Sequence, residues 1–111
     1  MVIDLVLQAI AEPRRRDILR LIQGAELSSG EIAAHFDVTR PAISQHLQVL
    51  ASAGLVSVRR EGTRRLYQAR PEGLGELRRF LEEFWDDRLE RLKQAAEAEE
   101  RMREHYGTAG T

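Results

Sequence analysis

The chain has 111 residues with 17 Lys and Arg against 18 Asp and Glu, a net charge of −1, and 42% hydrophobic and 32% charged residues. That length supports a single domain with a modest core, near the size at which association of subunits adds much of the stability. No apolar run approaches the roughly 18 residues of a membrane span, the apolar opening carries Asp4 and no basic start, and cysteine is absent; a membrane span, a signal peptide, disulfides and thiolate metal sites are not expected, and a cytoplasmic setting is.

Val2 to Ala11 repeats apolar side chains at Ile3, Val6, Leu7 and Ile10, the spacing of one helix face, and Glu12-Pro13 ends it because the residue before proline avoids the helical region. A second helix is expected from Pro13 to about Gln23, burying Ile18, Leu19, Leu21 and Ile22 and stopping at Gly24. Arg14, Arg15 and Arg16 crowd its first turn, where positive charge opposes the helix dipole. They read first as exposed or acid-paired side chains, and second as phosphate contacts.

Residues 28–54 are the stretch around which the chain is organised. Ser28 with Glu31 makes a capping box, and Ile32, Ala33 and Phe36 follow at helical spacing before Asp37-Val38-Thr39 breaks the pattern. Pro41 suits the opening turn of the next helix, in which Ile43, Leu47 and Leu50 form a buried stripe. The far side of that helix holds Pro41, Ser44, Gln45, Gln48 and Ser52 and no Lys, Glu or Asp. A solvated face usually carries such charges, whereas hydroxyls and amides suit hydrogen bonding to base edges in a major groove. Two helices across so short a turn are a helix-turn-helix.

After Gly54 the period changes from 3.6 to 2. Residues 55–60 and 64–69 read as two strands joined by Glu61-Gly62-Thr63, a hairpin packing on the helices through Val56, Val58 and Leu66. Arg59, Arg60, Arg64 and Arg65 flank its tip, where like charges repel and a polyanion would relieve them. Residues 13–70 hold ten arginines against five acids, whereas residues 71–111 hold seven bases against eleven acids. One cationic face toward a polyanion is the natural reading.

Pro71 opens a long helix to about Tyr106. Leu77, Leu81, Phe84, Trp85, Leu89 and Leu92 step along one side, further than a domain this small needs for its own core, so a second copy of the chain is the expected partner. Ile3, Val6 and Leu7 of the first helix are the expected second contribution. The whole of 1–111 is read as one domain: a dimerisation helix over 1–12, the helix-turn-helix and hairpin over 13–70, and a long dimerisation helix over 71–107.

Ser44, Gln45 and Gln48 lead the base-reading candidates, since Gln45 can pair with adenine through two hydrogen bonds. Arg40 and Pro41 stand at the helix start, where the arginine reaches guanine or a phosphate. Thr39 either caps the helix or donates to a phosphate, and His46, at the edge of the apolar stripe, is a half-buried histidine or a DNA contact. Arg60, Thr63, Arg64 and Arg65 are the phosphate candidates of the hairpin, and Ser29 and Gly30 offer backbone N–H groups to a phosphate. No phosphate-cradling Gly-rich loop and no assembled nucleophile and base are present, so no enzyme activity is expected.

Ala11-Glu12-Pro13-Arg14-Arg15-Arg16-Asp17-Ile18-Leu19, Ser44-Gln45-His46-Leu47 with Leu50, Ala53-Gly54-Leu55-Val56, and Arg60-Glu61-Gly62-Thr63-Arg64-Arg65-Leu66-Tyr67 resemble the ArsR/SmtB family of bacterial winged-helix transcriptional repressors. The resemblance implies a mainly α winged helix-turn-helix with five helices and a two-stranded hairpin wing. It also implies a homodimer on an inverted-repeat operator of double-stranded DNA, with the helix at 40–53 as recognition helix and the first and last helices as dimer interface. Metal-sensing members use a Cys-x-Cys pair, or Asp-x-His with a later His-x-x-Glu. Here cysteine is absent and His35, His46 and His105 lie on separate elements, so the chain is similar to the metal-independent branch, with no metal or cofactor implied. Two alternatives stand beside this reading: a repressor sensing a small organic molecule at the dimer interface near Phe80, Phe84 and Trp85, and a winged helix used for protein–protein interaction.

Overall fold

Glu12 and Pro13 make the first corner of the fold. In the computed structural model, which describes residues 2–107 and side chains through 104, α1 (Val2–Ala11) ends there and α2 (Pro13–Gln23) begins with proline in its first turn and Glu12 as its N-cap. The capping box forms as expected: Glu31 N–H donates to the Ser28 hydroxyl and Ser28 N–H to the Glu31 carboxylate, opening α3 (Ser29–Ala34). Thr39 accepts from Ala42 N–H at 3.3 Å and so caps α4 (Arg40–Ser52). Ile43, Leu47 and Leu50 of α4 are buried, and they join Ile18 and Ile22 of α2, Ile32 of α3 and Leu55 in one core.

The hairpin is tighter than its sequence suggests. Strands β1 (Val56–Glu61) and β2 (Arg64–Ala69) pair antiparallel from Val56↔Ala69 to Glu61↔Arg64, so Glu61 belongs to the strand and only Gly62 and Thr63 turn. Gly62 has φ of +64°, a conformation a two-residue hairpin needs and glycine adopts without steric cost. Val56 and Leu66 are buried, but Val58 is 47% exposed, a correction to the expectation that all three pack inward. Val58 shares the face of Val56 but stands two residues nearer the tip, and every residue of β1 beyond Val56 is exposed. Leu27 extends the pairing by one residue on the other edge of β2, exchanging backbone hydrogen bonds with Tyr67 at 3.1 and 2.7 Å.

Proline 71 opens a 3₁₀ turn (Pro71–Leu74) rather than the long helix itself, which is α5 (Gly75–Gly107). The turn crosses the corner between α4 and β1, where a Cβ on Gly73 would stand 2.1 Å from the Gly54 carbonyl oxygen. Arg70 fastens the same corner, donating from its backbone to the Leu55 carbonyl at 2.7 Å. The chain divides into two units, one through Leu77 and one from Arg78 onward. The second is a helix whose Leu81, Phe84, Trp85, Leu89 and Leu92 are about half exposed or more, with Arg78–Glu82, Asp87–Arg91 and Glu99–Arg103 ion pairs along it. His105 lies outside the described side chains.

Candidate nucleic-acid interface

The outward face of α4 is open. Pro41, Ser44, Gln45 and Gln48 are all exposed, and none of them makes a side-chain hydrogen bond within the described residues. Adjacent in sequence, Ser44 and Gln45 line different hollows. Ser44 shares one with Arg40, Ser28, Ser29 and the hairpin's Thr63, Arg64, Arg65 and Tyr67, a wall of hydroxyls and guanidinium groups. Gln45 shares the other with Gln48, Val49, Ser52 and the α1 residues Leu5 and Gln8. Arg40 is oriented by its Nε, which donates to the Ser29 hydroxyl at 3.2 Å. Helix α4 is thus flanked by a cationic hollow toward the hairpin and an amide-lined groove toward α1.

Three candidate residues already have partners within the subunit. The Thr39 hydroxyl caps α4. Arg64 is ion-paired with Glu31. His46 is partly buried, and Arg15 Nη1 donates to its Nδ1 at 3.3 Å. A guanidinium can only donate, so the imidazole carries its proton on Nε2. Burial first, and the Arg15 charge second, hold the His46 pKa below its ordinary value, with Glu12 opposing weakly.

The arginines at 14–16 have a role that their helix dipole does not suggest. Arg15 donates to the carbonyls of Ala9 and Gln8 at 2.7 and 3.1 Å, and Arg16 to those of Ile10 and Ala11 at 2.7 and 3.2 Å. They satisfy the terminal carbonyls of α1, which ends without a glycine cap, and their charge there complements the α1 dipole. Arg14 lies 4.9 Å from the Phe36 ring centroid, a cation–π contact. Arg16 is exposed, and none of the three guanidinium groups has an acid partner among the described residues.

Among the dimer-interface candidates, Val6 is 1% exposed and Leu77 9%, and both belong to the core of the first unit. That corrects their assignment, since a side chain already enclosed has no surface to give a partner. Ile3 packs partly against the same core, whereas Leu7 is exposed beside Val2 and Leu5. Among the described residues no three His, Asp or Glu side chains gather to hold a metal ion, and no helix is long and apolar enough to cross a membrane.

Four helices around one core, a recognition helix with an uncharged outer face and a cationic hairpin beside it define a winged helix-turn-helix DNA-binding protein. The model of the arsR family of bacterial regulatory proteins matches residues 12–58. The HTH-type transcriptional regulator Rv2034 of Mycobacterium tuberculosis is 44% identical over 96 residues, 86% of this chain and 90% of the relative. The transcriptional repressor SdpR of Bacillus subtilis is 44% identical over 57 residues, 51% of this chain and 63% of its own length. The solution structure of the homodimeric winged helix-turn-helix DNA-binding domain Mb0332 from Mycobacterium bovis superposes with a TM-score of 0.62 at 35% identity, covering 80% of this chain and 82% of that one. The chain belongs to the arsR family of bacterial transcriptional regulators.

Proposed function

We propose that the protein is a homodimeric repressor that binds an inverted-repeat operator, and that it has no enzymatic activity. The observation carrying this reading is the exposed, uncharged face of α4 set between the cationic hollow and the α1 groove. Ser44, Gln45 and Gln48 read base edges, with Pro41 starting the helix beside them. Arg40, Arg60, Thr63 and Arg65 hold phosphates. Dimerisation is supported by the exposed apolar stripe of α5 and by the homodimeric relative. Repression is supported by the likeness to SdpR. In such a dimer the two recognition helices enter successive major grooves about 34–36 Å apart.

A gel shift with the DNA upstream of the protein's own gene, against random competitor, tests the reading, and a reporter on that DNA tests the sign of regulation. Arg65→Ala weakens binding to all duplexes and lowers the salt slope by about one unit. Gln45→Ala instead lowers discrimination at one operator position by about 1–3 kcal/mol. Equal losses on specific and random DNA for both variants overturn this division of roles, and higher reporter output in the presence of the protein overturns repression.

A further inference from the structure

The four arginines of the hairpin are not equivalent. The strand register sets Arg60 directly opposite Arg65 on one face, with Val58 and Tyr67, and places Arg59, Glu61, Arg64 and Leu66 on the other. Arg59 donates from Nε to both carboxylate oxygens of Glu26 at 3.2 Å, with its Nη2 also on Glu26 and 3.3 Å from Glu61. Arg64 is ion-paired with Glu31, which is itself held by Ser28 N–H in the capping box. Arg60 and Arg65 have no acid partner among the described residues. Glu26 and Glu31 flank the single backbone bridge between Leu27 and Tyr67 that ties the hairpin edge to the helices.

We propose that Glu26 and Glu31 are positioning residues: by engaging Arg59 and Arg64 they lock the wing to the helix-turn-helix and withhold two of its four cations from DNA, leaving Arg60 and Arg65 to meet phosphates. The inference rests on the DNA-binding reading above. A two-stranded hairpin is marginal by itself, and one backbone bridge fixes one edge without fixing the angle of the tip. Two ion pairs on one face supply that constraint. Each exposed pair contributes little to stability, so the consequence appears in DNA binding and wing motion rather than in unfolding. The acids occupy the donors of Arg59 and Arg64, and removing their charge frees those arginines for DNA.

The test is Glu26→Gln with Glu31→Gln, which keeps side-chain size and, at Glu31, the capping box. Two measurements are made on the full chain: the slope of log affinity against log salt on a mixed-sequence duplex, and amide hydrogen exchange over residues 56–69. The double variant steepens the slope by about 0.9 for each arginine released, and hairpin exchange speeds up. Arg59→Ala speeds the same exchange and leaves the slope unchanged, whereas Arg65→Ala lowers the slope and leaves exchange unchanged. A slope lowered by Arg59→Ala as much as by Arg65→Ala overturns the proposal, as does a double variant that leaves exchange at the wild-type rate. If the wild-type protein binds no duplex, the DNA-binding reading fails, while the exchange measurement still decides whether the two acids hold the wing.

Discussion

The two units treat their apolar side chains in opposite ways. Through Leu77, α2, α3 and α4 each turn isoleucine or leucine fully inward, and Ile18, Ile22, Ile32, Ile43 and Leu50 are sealed from solvent. From Arg78 onward, α5 carries Leu81, Phe84, Trp85 and Leu92 on one side with Phe84 60% and Trp85 59% exposed. The first unit encloses a core of its own, with Val2, Leu5 and Leu7 of α1 left exposed; the second carries an apolar stripe that is exposed along its length. Exposed apolar patches of this kind mark interaction sites, and this is the ground on which a dimer contact on α5 is proposed.

The sharpest way to break that contrast is Phe84→Asp with Leu92→Asp. Each buried apolar side chain is worth about 1.5–3 kcal/mol and counts twice across a two-fold axis. The dimer dissociation constant therefore rises by more than about two orders of magnitude, measured by sedimentation, and specific DNA binding falls with it. A variant that remains dimeric would place the interface elsewhere. Ile22→Ala acts on the other unit, costing about 2–5 kcal/mol of unfolding free energy in a denaturant titration. Next in size is Gly73→Ala. Its Cβ would meet the Gly54 carbonyl, a backbone atom that cannot rotate away, and forced overpacking costs about 1–3 kcal/mol. Gly75→Ala, two residues on and with open space at its Cβ, is the matched control, and it has no such cost.

The smallest effect concerns pH. His46 has a folded pKa below its unfolded value of 6.5, so the folded state binds the proton less well than the unfolded chain. Its contribution is complete above about pH 6.5 and is lost as the pH falls below that value. The thermal midpoint drops over that window, and His46→Gln flattens the drop. Because Arg15 joins His46 of α4 to the end of α1, protonation puts two cations at that junction. An unchanged slope in the glutamine variant would show that His46 does not carry the effect.

Local features were legible wherever one short stretch contained both the cause and the effect. The Ser28–Glu31 capping box, the proline at the start of α4 and the Ile43, Leu47, Leu50 stripe each follow from residues within two turns of one another. The roles of the arginines did not follow, because their partners are distant along the chain. Glu26 and Arg59, like Glu31 and Arg64, are 33 residues apart and meet only when the hairpin folds back. Arg15 and Arg16 read as a conflict with the α2 dipole because the carbonyls they satisfy belong to the helix before. Periodicity marked Val6 and Leu77 as apolar but could not say whether the subunit's core or a partner encloses them.

Sequence alone thus determined the order of elements, the uncharged side of the recognition helix and the excess of apolar surface on the last helix, because periodicity and capping act through neighbouring residues. Tertiary structure decided which arginines are occupied and which apolar side chains are spent in the core. Charge pairing and burial are set by distance in space, and chain order does not encode that distance until the helices have packed.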